Sequence, residues 1–118
     1  MSSDPTVILS IGIPAYPHEP GYLSGDLWIV FRDDLKAVSR RHAAGRLLHF
    51  RGEGTGNYVD DNGVAHEELS YTVVFTLHED TSLDELRRDL AGLARCYGQD
   101  SIALTIGSTT LVRADGTY

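Results

Sequence analysis

Apolar and polar positions alternate over residues 6–13, setting Val7, Leu9, Ile11 and Ile13 against Thr6, Ile8, Ser10 and Gly12. A two-residue period puts the first set on one face, so this stretch predicts a strand with one strongly apolar side. Pro14, Pro17 and Pro20 then break the pattern into an irregular loop. From Asp26 the period lengthens, and Leu27, Trp28, Phe31, Leu35 and Val38 fall on one helical stripe. Arg40, Arg41 and His42 suit the C-terminal dipole of that helix, and Gly45 suits the position just past its end. The run 27–31 reads equally as a short strand, an alternative the pattern leaves open.

Residues 46–77 predict a long hairpin. Gly52, Gly54 and Gly56 alternate strictly, but no Gly-Lys-Ser/Thr and no helix follow them, so they are not a phosphate loop. Asn62-Gly63 favours a two-residue type I′ turn. That turn would set Val59 opposite His66, Tyr58 opposite Glu67, Gly56 opposite Leu69, Gly54 opposite Tyr71, Gly52 opposite Val73 and Phe50 opposite Phe75. The glycines then share the apolar face with Leu48, Phe50, Leu69, Tyr71, Val73, Phe75 and Leu77. There they make room for large side chains or line a ligand slot. His49, Arg51, Glu53, Thr55, Asn57, Glu68, Ser70, Thr72, Val74 and Thr76 take the other face.

Ser82-Leu-Asp-Glu85 is a capping box, and Leu83, Leu86, Leu90, Leu93, Ala94 and Tyr97 continue it as a clean stripe up to Gly98. Residues 101–106 alternate once more with Ile102, Leu104 and Ile106 inward, and a short last strand is expected over 109–113. The order β-α-β-β-α-β is the split βαβ of a ferredoxin-like α+β fold, with two helices on one face of an antiparallel sheet. Its open face would carry Ile8, Ser10, Thr72, Val74, Ala103 and Thr105. Ser10, Thr72, Val74 and Thr105 are therefore expected at a self-association interface.

Composition narrows the function. The 118 residues make one domain, with a core over about 6–112 and frayed ends at 1–5 and 114–118. A net charge of −7 argues against nucleic acid and against anionic membrane surfaces. A single cysteine, Cys96, excludes an intrachain disulfide and fits a reducing compartment. With neither a signal peptide nor a membrane span in the sequence, a cytoplasmic protein is expected.

The glycine strand, the Glu68-x-Ser70 start of the strand after it, and Tyr97-Gly-Gln-Asp-Ser-Ile102 resemble motifs of a group of small bacterial and phage proteins of unknown function. In that group a Gly-x-Gly or Gly-x-Trp strand precedes a Glu-x-Ser strand, and a Phe-Gly-Gln-Glu-like motif enters the last core strand. The likeness spans residues 6–112. This chain departs from it with Tyr97, with Asp100 and with its proline-rich loop at 14–25. The resemblance implies the fold and a phage or actinobacterial origin, and no activity.

Candidate chemistry is sparse. Gln99 and Asp100 either orient a polar ligand or satisfy the turn after a helix capped at Gly98. His49, His66 and His78 lack metal-ligand spacing, and 60–63 lacks the alternating ligands of a calcium loop, so no metal or other cofactor is expected. Arg40, Arg41, His42 and Arg46 form a basic knot that suits a phosphate or the helix dipole. Cys96 flanks the second helical stripe and is expected to be inert. The leading expectation is a non-enzymatic module that self-associates and binds a protein partner. The alternative is a small-ligand or enzymatic site among Gly52, Gly54, Gly56, Tyr58, Glu68, Ser70, Tyr71, Gln99 and Asp100.

Overall fold

The computed structural model of the protein describes residues 5–43, 50–78, 80–108 and 113–116. Its elements are β1 (Thr6–Pro14), α1 (Gly25–His42), β2 (Phe50–Val59), β3 (Ala65–Thr76), α2 (Leu83–Cys96) and β4 (Ala103–Gly107). The four strands form one antiparallel sheet in the order β2-β3-β1-β4. This is the expected ferredoxin-like α+β arrangement, with β1 and β3 central.

The alternation in β1 buries Val7, Leu9, Ile11 and Ile13 against Tyr71, Val73 and Phe75 of β3 and against both helices. In α1, Ser24 caps the first turn by accepting from the Leu27 amide at 3.5 Å, and Trp28, Phe31, Leu35 and Val38 are buried. The run 27–31 is thus helix rather than strand. Leu27 corrects the expected stripe: it precedes Trp28 by one residue, about 100° around the helix, and is 50% exposed. His42, the last residue of α1, is buried instead of dressing an exposed end. Its Nε2 lies 2.7 Å from Asp89 Oδ2 on α2. The cap expected at Gly45 lies outside the described residues.

In α2 Ser82 accepts from the Glu85 amide at 3.0 Å, and Leu86, Leu90, Leu93 and Ala94 are buried, as the stripe predicts. In β4 Leu104 packs half-buried on the core, as does Ile102 just before the strand, but Ile106 is 41% exposed at this outer edge of the sheet. The strand expected over 109–113 falls largely on residues outside those described.

The hairpin overturns the expected register by one residue. Val59 pairs with Ala65, Tyr58 with His66, Gly56 with Glu68, Gly54 with Ser70 and Gly52 with Thr72. Turn chemistry is the cause. The Gly63 amide donates to the Asp60 carbonyl at 2.9 Å, the Asp60 amide donates to the Val64 carbonyl at 3.0 Å, and Gly63 has φ +80°. That is a three-residue loop, a type I turn followed by a left-handed glycine, rather than a two-residue type I′ turn. Asp60 Oδ1 locks it by accepting from the amides of Asn62 and Val64, both at 2.9 Å. One extra loop residue turns β2 over relative to β3. The glycines therefore face the open side with Glu68, Ser70 and Thr72, and Glu53 and Arg51 face the helix side. There Arg32 of α1 pairs with Glu53 and lies 5.4 Å above the Tyr71 ring.

Candidate functional site

On the open face the register sets side chains in rows across the sheet. Gly54, Ser70 and Gly12 make one row, and Gly56, Glu68 and Pro14 the next. Gly52, Thr72, Ser10 and Ala103 make a third, with Val74, Ile8 and Thr105 beyond it. Ser10 Oγ and Thr72 Oγ1 share a hydrogen bond of 2.9 Å.

Glycines at two of these positions accommodate one side chain. A Cβ on Gly12 would lie 2.8 Å from the Glu68 carboxylate, and one on Gly56 would lie 3.4 Å from Glu68 Oε1. Glu68 thus lies down on a floor that only hydrogen atoms leave open. Half-buried there, its carboxylate has no hydrogen bond or ion pair among the described residues.

Beside it opens a cavity of about 380 Å³, whose walls include Gly12, Glu68, Pro20, Gly21, Gln99 and Asp100. The α2–β4 turn supplies the last two. Gly98 takes φ +64°, and the Gln99 amide donates to the Ala94 carbonyl at 2.9 Å, which closes the helix. The Gln99 side chain then reaches out, donating from Nε2 to the carbonyls of Gly21 and Tyr97, each at 2.9 Å. It holds the proline-rich loop against the turn. Tyr97 anchors the same turn from behind: its ring stacks on Phe31 at 4.6 Å, and its hydroxyl donates to Asp34 Oδ2 at 2.5 Å. Burial and that carboxylate push the Tyr97 phenol up to about 12. Among the described residues no lysine, arginine or histidine lines the cavity, and Glu68 and Asp100 give it acidic walls.

The structure brings Glu68, Ser70, Gln99, Asp100 and the glycine strand to one side of the sheet. Tyr71 is a correction: it is buried on the helix face, so the slot expected between it and the glycines does not exist. Tyr58 holds an open-face register position opposite His66, toward the hairpin tip. Two site residues escaped the sequence reading. Gly12, between apolar neighbours in a strand, is a signal of close side-chain approach, and Gly21 completes a Pro-Gly pair.

The other candidates are engaged elsewhere. His66 Nε2 is 2.8 Å from Asp60 Oδ2, and that contact holds the Asp60 carboxyl below its usual range. Of the basic knot, His42 and Arg41 both meet Asp89, whose carboxyl is likewise lowered by the His42 contact. His49 and Arg46 lie outside the described residues. Among the described residues no three metal-ligating side chains converge, and no helix is long and apolar enough to cross a membrane. Cys96 is exposed.

No family model matches the chain, and no curated protein matches it in sequence. Its fold is similar to that of a phage SAM lyase solved with S-methyl-5′-thioadenosine, with 19% identity, a TM-score of 0.51, and cover of 87% of this chain and 79% of that one. The apo state of a phage SAM lyase matches at 18% identity and TM-score 0.51, over 87% and 78% of the two chains. A Bacillus cereus protein related to NIF3 matches at 15% identity and TM-score 0.43, over 91% of this chain and 26% of that one. The likenesses to the phage SAM lyases show a shared fold.

Proposed function

We propose that the cavity beside Glu68 binds a small cationic nucleoside of the S-adenosylmethionine class. The observation that carries this reading is the Glu68 carboxylate, without a cationic partner among the described residues, laid on a glycine floor at the wall of a cavity whose described lining has no basic residue. Such a site favours a positive ligand and disfavours phosphates. A sulfonium fits it better than the neutral thioether left when the sulfonium loses a carbon substituent. The phage SAM lyases of similar fold supply the ligand class. Cleavage there would break the sulfur bond to the aminobutyryl carbon, with the electron pair passing to sulfur while the ligand's own carboxylate bonds to that carbon and closes a lactone. Glu68 would hold the cation, Gln99 would keep the loop wall in place, and Asp100 would add to the field.

Calorimetric titration tests the site. S-adenosylmethionine should bind tighter than S-methyl-5′-thioadenosine, and Glu68→Gln should weaken the former about tenfold, the worth of about 1.4 kcal/mol. Equal binding by wild type and Glu68→Gln, or no binding of either nucleoside, would overturn the reading. Chromatography of the same mixtures shows whether S-methyl-5′-thioadenosine accumulates.

A second reading rests on the opposite end of the same face. There Ile8 is 37% exposed beside Val74 and Thr105, an apolar patch on the side of the sheet that the helices leave open. We infer that this patch, with Ser10 and Thr72, is where a second subunit or a protein partner meets the sheet. The two readings occupy different rows and coexist.

A further inference from the structure

β2 is the outer strand of the described sheet, and among the described residues no strand lies on its outer edge. Arg51, Gly52, Glu53, Gly54 and Thr55 are all exposed, with Arg32 of α1 reaching this stretch at Glu53. Its ladder to β3 runs without a bulge, and its sequence, FRGEGTGNYV, has neither proline nor lysine. These are the devices that ordinarily blunt an edge strand.

The ladder also fixes which backbone groups are free. Asp60 and Val64 are a hydrogen-bonded pair, so along β2 the even-numbered residues bond to β3 and the odd-numbered ones point their N–H and C=O outward. The same parity holds on the far side of β3, where the Ala15 amide donates to the Glu67 carbonyl at 3.2 Å and the Leu77 amide to the Pro5 carbonyl at 2.9 Å. The outward groups of β2 therefore belong to Arg51, Glu53, Thr55, Asn57 and Val59.

We propose that this edge pairs with the same edge of a second copy of the chain, antiparallel about a two-fold axis at Gly52, giving one continuous eight-stranded sheet. Charge selects the partner and the register. Arg51 and Glu53 carry opposite signs on one face of the strand; Arg51 has no acidic partner among the described residues, and Glu53, though it meets Arg32 within its own chain, stays more than half exposed and can take a second cation. In the two-fold register about Gly52, each Arg51 stands opposite a Glu53, twice over, and both positions present outward hydrogen-bonding groups. A shift of the axis to Glu53 would bring like carboxylates face to face. A shift to Gly54 would place Arg51 opposite Asn57 and lose both ion pairs. An edge guarded by a single sign of charge would repel its copy, whereas this one complements it.

Cysteine cross-linking in a Cys96→Ser background tests the register. Facing residues of a non-hydrogen-bonded antiparallel pair stand about 4.5 Å apart at Cα, within disulfide reach. Gly52→Cys should therefore oxidise to a covalent dimer. A Cβ at Gly52 meets nothing within 4 Å, so the variant keeps the fold. Gly54→Cys, also unobstructed at short range, should stay uncross-linked, because its copies would lie four residues apart along the strand. Dimers joined through stacked sheet faces, about 10 Å apart, form neither disulfide. Arg51→Glu should abolish the Gly52→Cys cross-link by setting carboxylates opposite each other. Cross-linking of Gly54→Cys in place of Gly52→Cys, no cross-link in either, or a cross-link indifferent to Arg51→Glu would each overturn the proposal.

Discussion

Tyr97 shows how one residue ties the candidate site to the core. Its ring is part of the hydrophobic layer on Phe31, while its hydroxyl leaves that layer to reach Asp34. Two residues on, Gln99 leaves the same turn in the other direction and fastens the loop at Gly21. The phenol's pKa is raised to about 12, above its ordinary value, by burial first and by the Asp34 carboxylate second. An unfolded chain loses that proton near pH 10. Tyr97 thus contributes stability that is complete below pH 10 and is lost as the pH rises from 10 through 12. Tyr97→Phe should remove that segment of the stability profile and cost about 1 kcal/mol at neutral pH through the lost hydrogen bond. Urea denaturation at pH 9 and pH 11.5 checks it: equal alkaline losses in wild type and variant would show that Tyr97 is not the group responsible.

At the scale of elements, the hairpin turn decides what the open face is made of. Gly63 alone in the turn has positive φ, and Asn62 does not, which distinguishes the observed loop from the two-residue turn that Asn-Gly suggests. Gly63→Val should cost about 1–2 kcal/mol, because a β-branched residue resists the left-handed region. Asn62→Ala should be nearly neutral by thermal melting; a type I′ turn would make both substitutions costly. The helices and β1 were legible because their apolar patterns repeat over many residues and bury at Val7, Leu9, Ile11, Ile13, Phe31, Leu35, Leu86, Leu90 and Leu93, with Leu27 the exception. The register of β2 was not, because its glycines carry no side chain to reveal a face. The polar residues that alternate with them, Arg51, Glu53, Thr55 and Asn57, are exposed in the structure, so their polarity says nothing about orientation. The site was legible in part for the same reason. Glu68 and Ser70 stood out as a motif, but the floor beneath Glu68 comes from Gly12 on another strand, a contact that no local spacing encodes.

For the whole molecule, the long hairpin sets the shape. The radius of gyration is 16.0 Å against about 13.5 Å for a compact chain of this length, and the longest extent is 50 Å. The two helices pack one side of the sheet, so the other side is a broad surface that is small and polar around Glu68 and more apolar toward Ile8. Thr72 sits near its middle, on a central strand and bonded to Ser10. If a second copy stacks on this surface, a contact of about 800 Å² per subunit is the usual scale, and Thr72 lies inside it. Thr72→Glu would carry a charge into that contact and pay its desolvation, while in the separated subunit the same carboxylate stays in water. Each copy also bears a net charge of −7, so stacking should strengthen as salt screens that repulsion. Sedimentation velocity in low and high salt should therefore show wild type gaining the larger species with salt and Thr72→Glu lacking it, with unchanged circular dichroism. A wild type that stays monomeric at high concentration in both salts would refute stacking. An unchanged distribution for Thr72→Glu would place any association off this face, and the edge of β2 is then where to look for it.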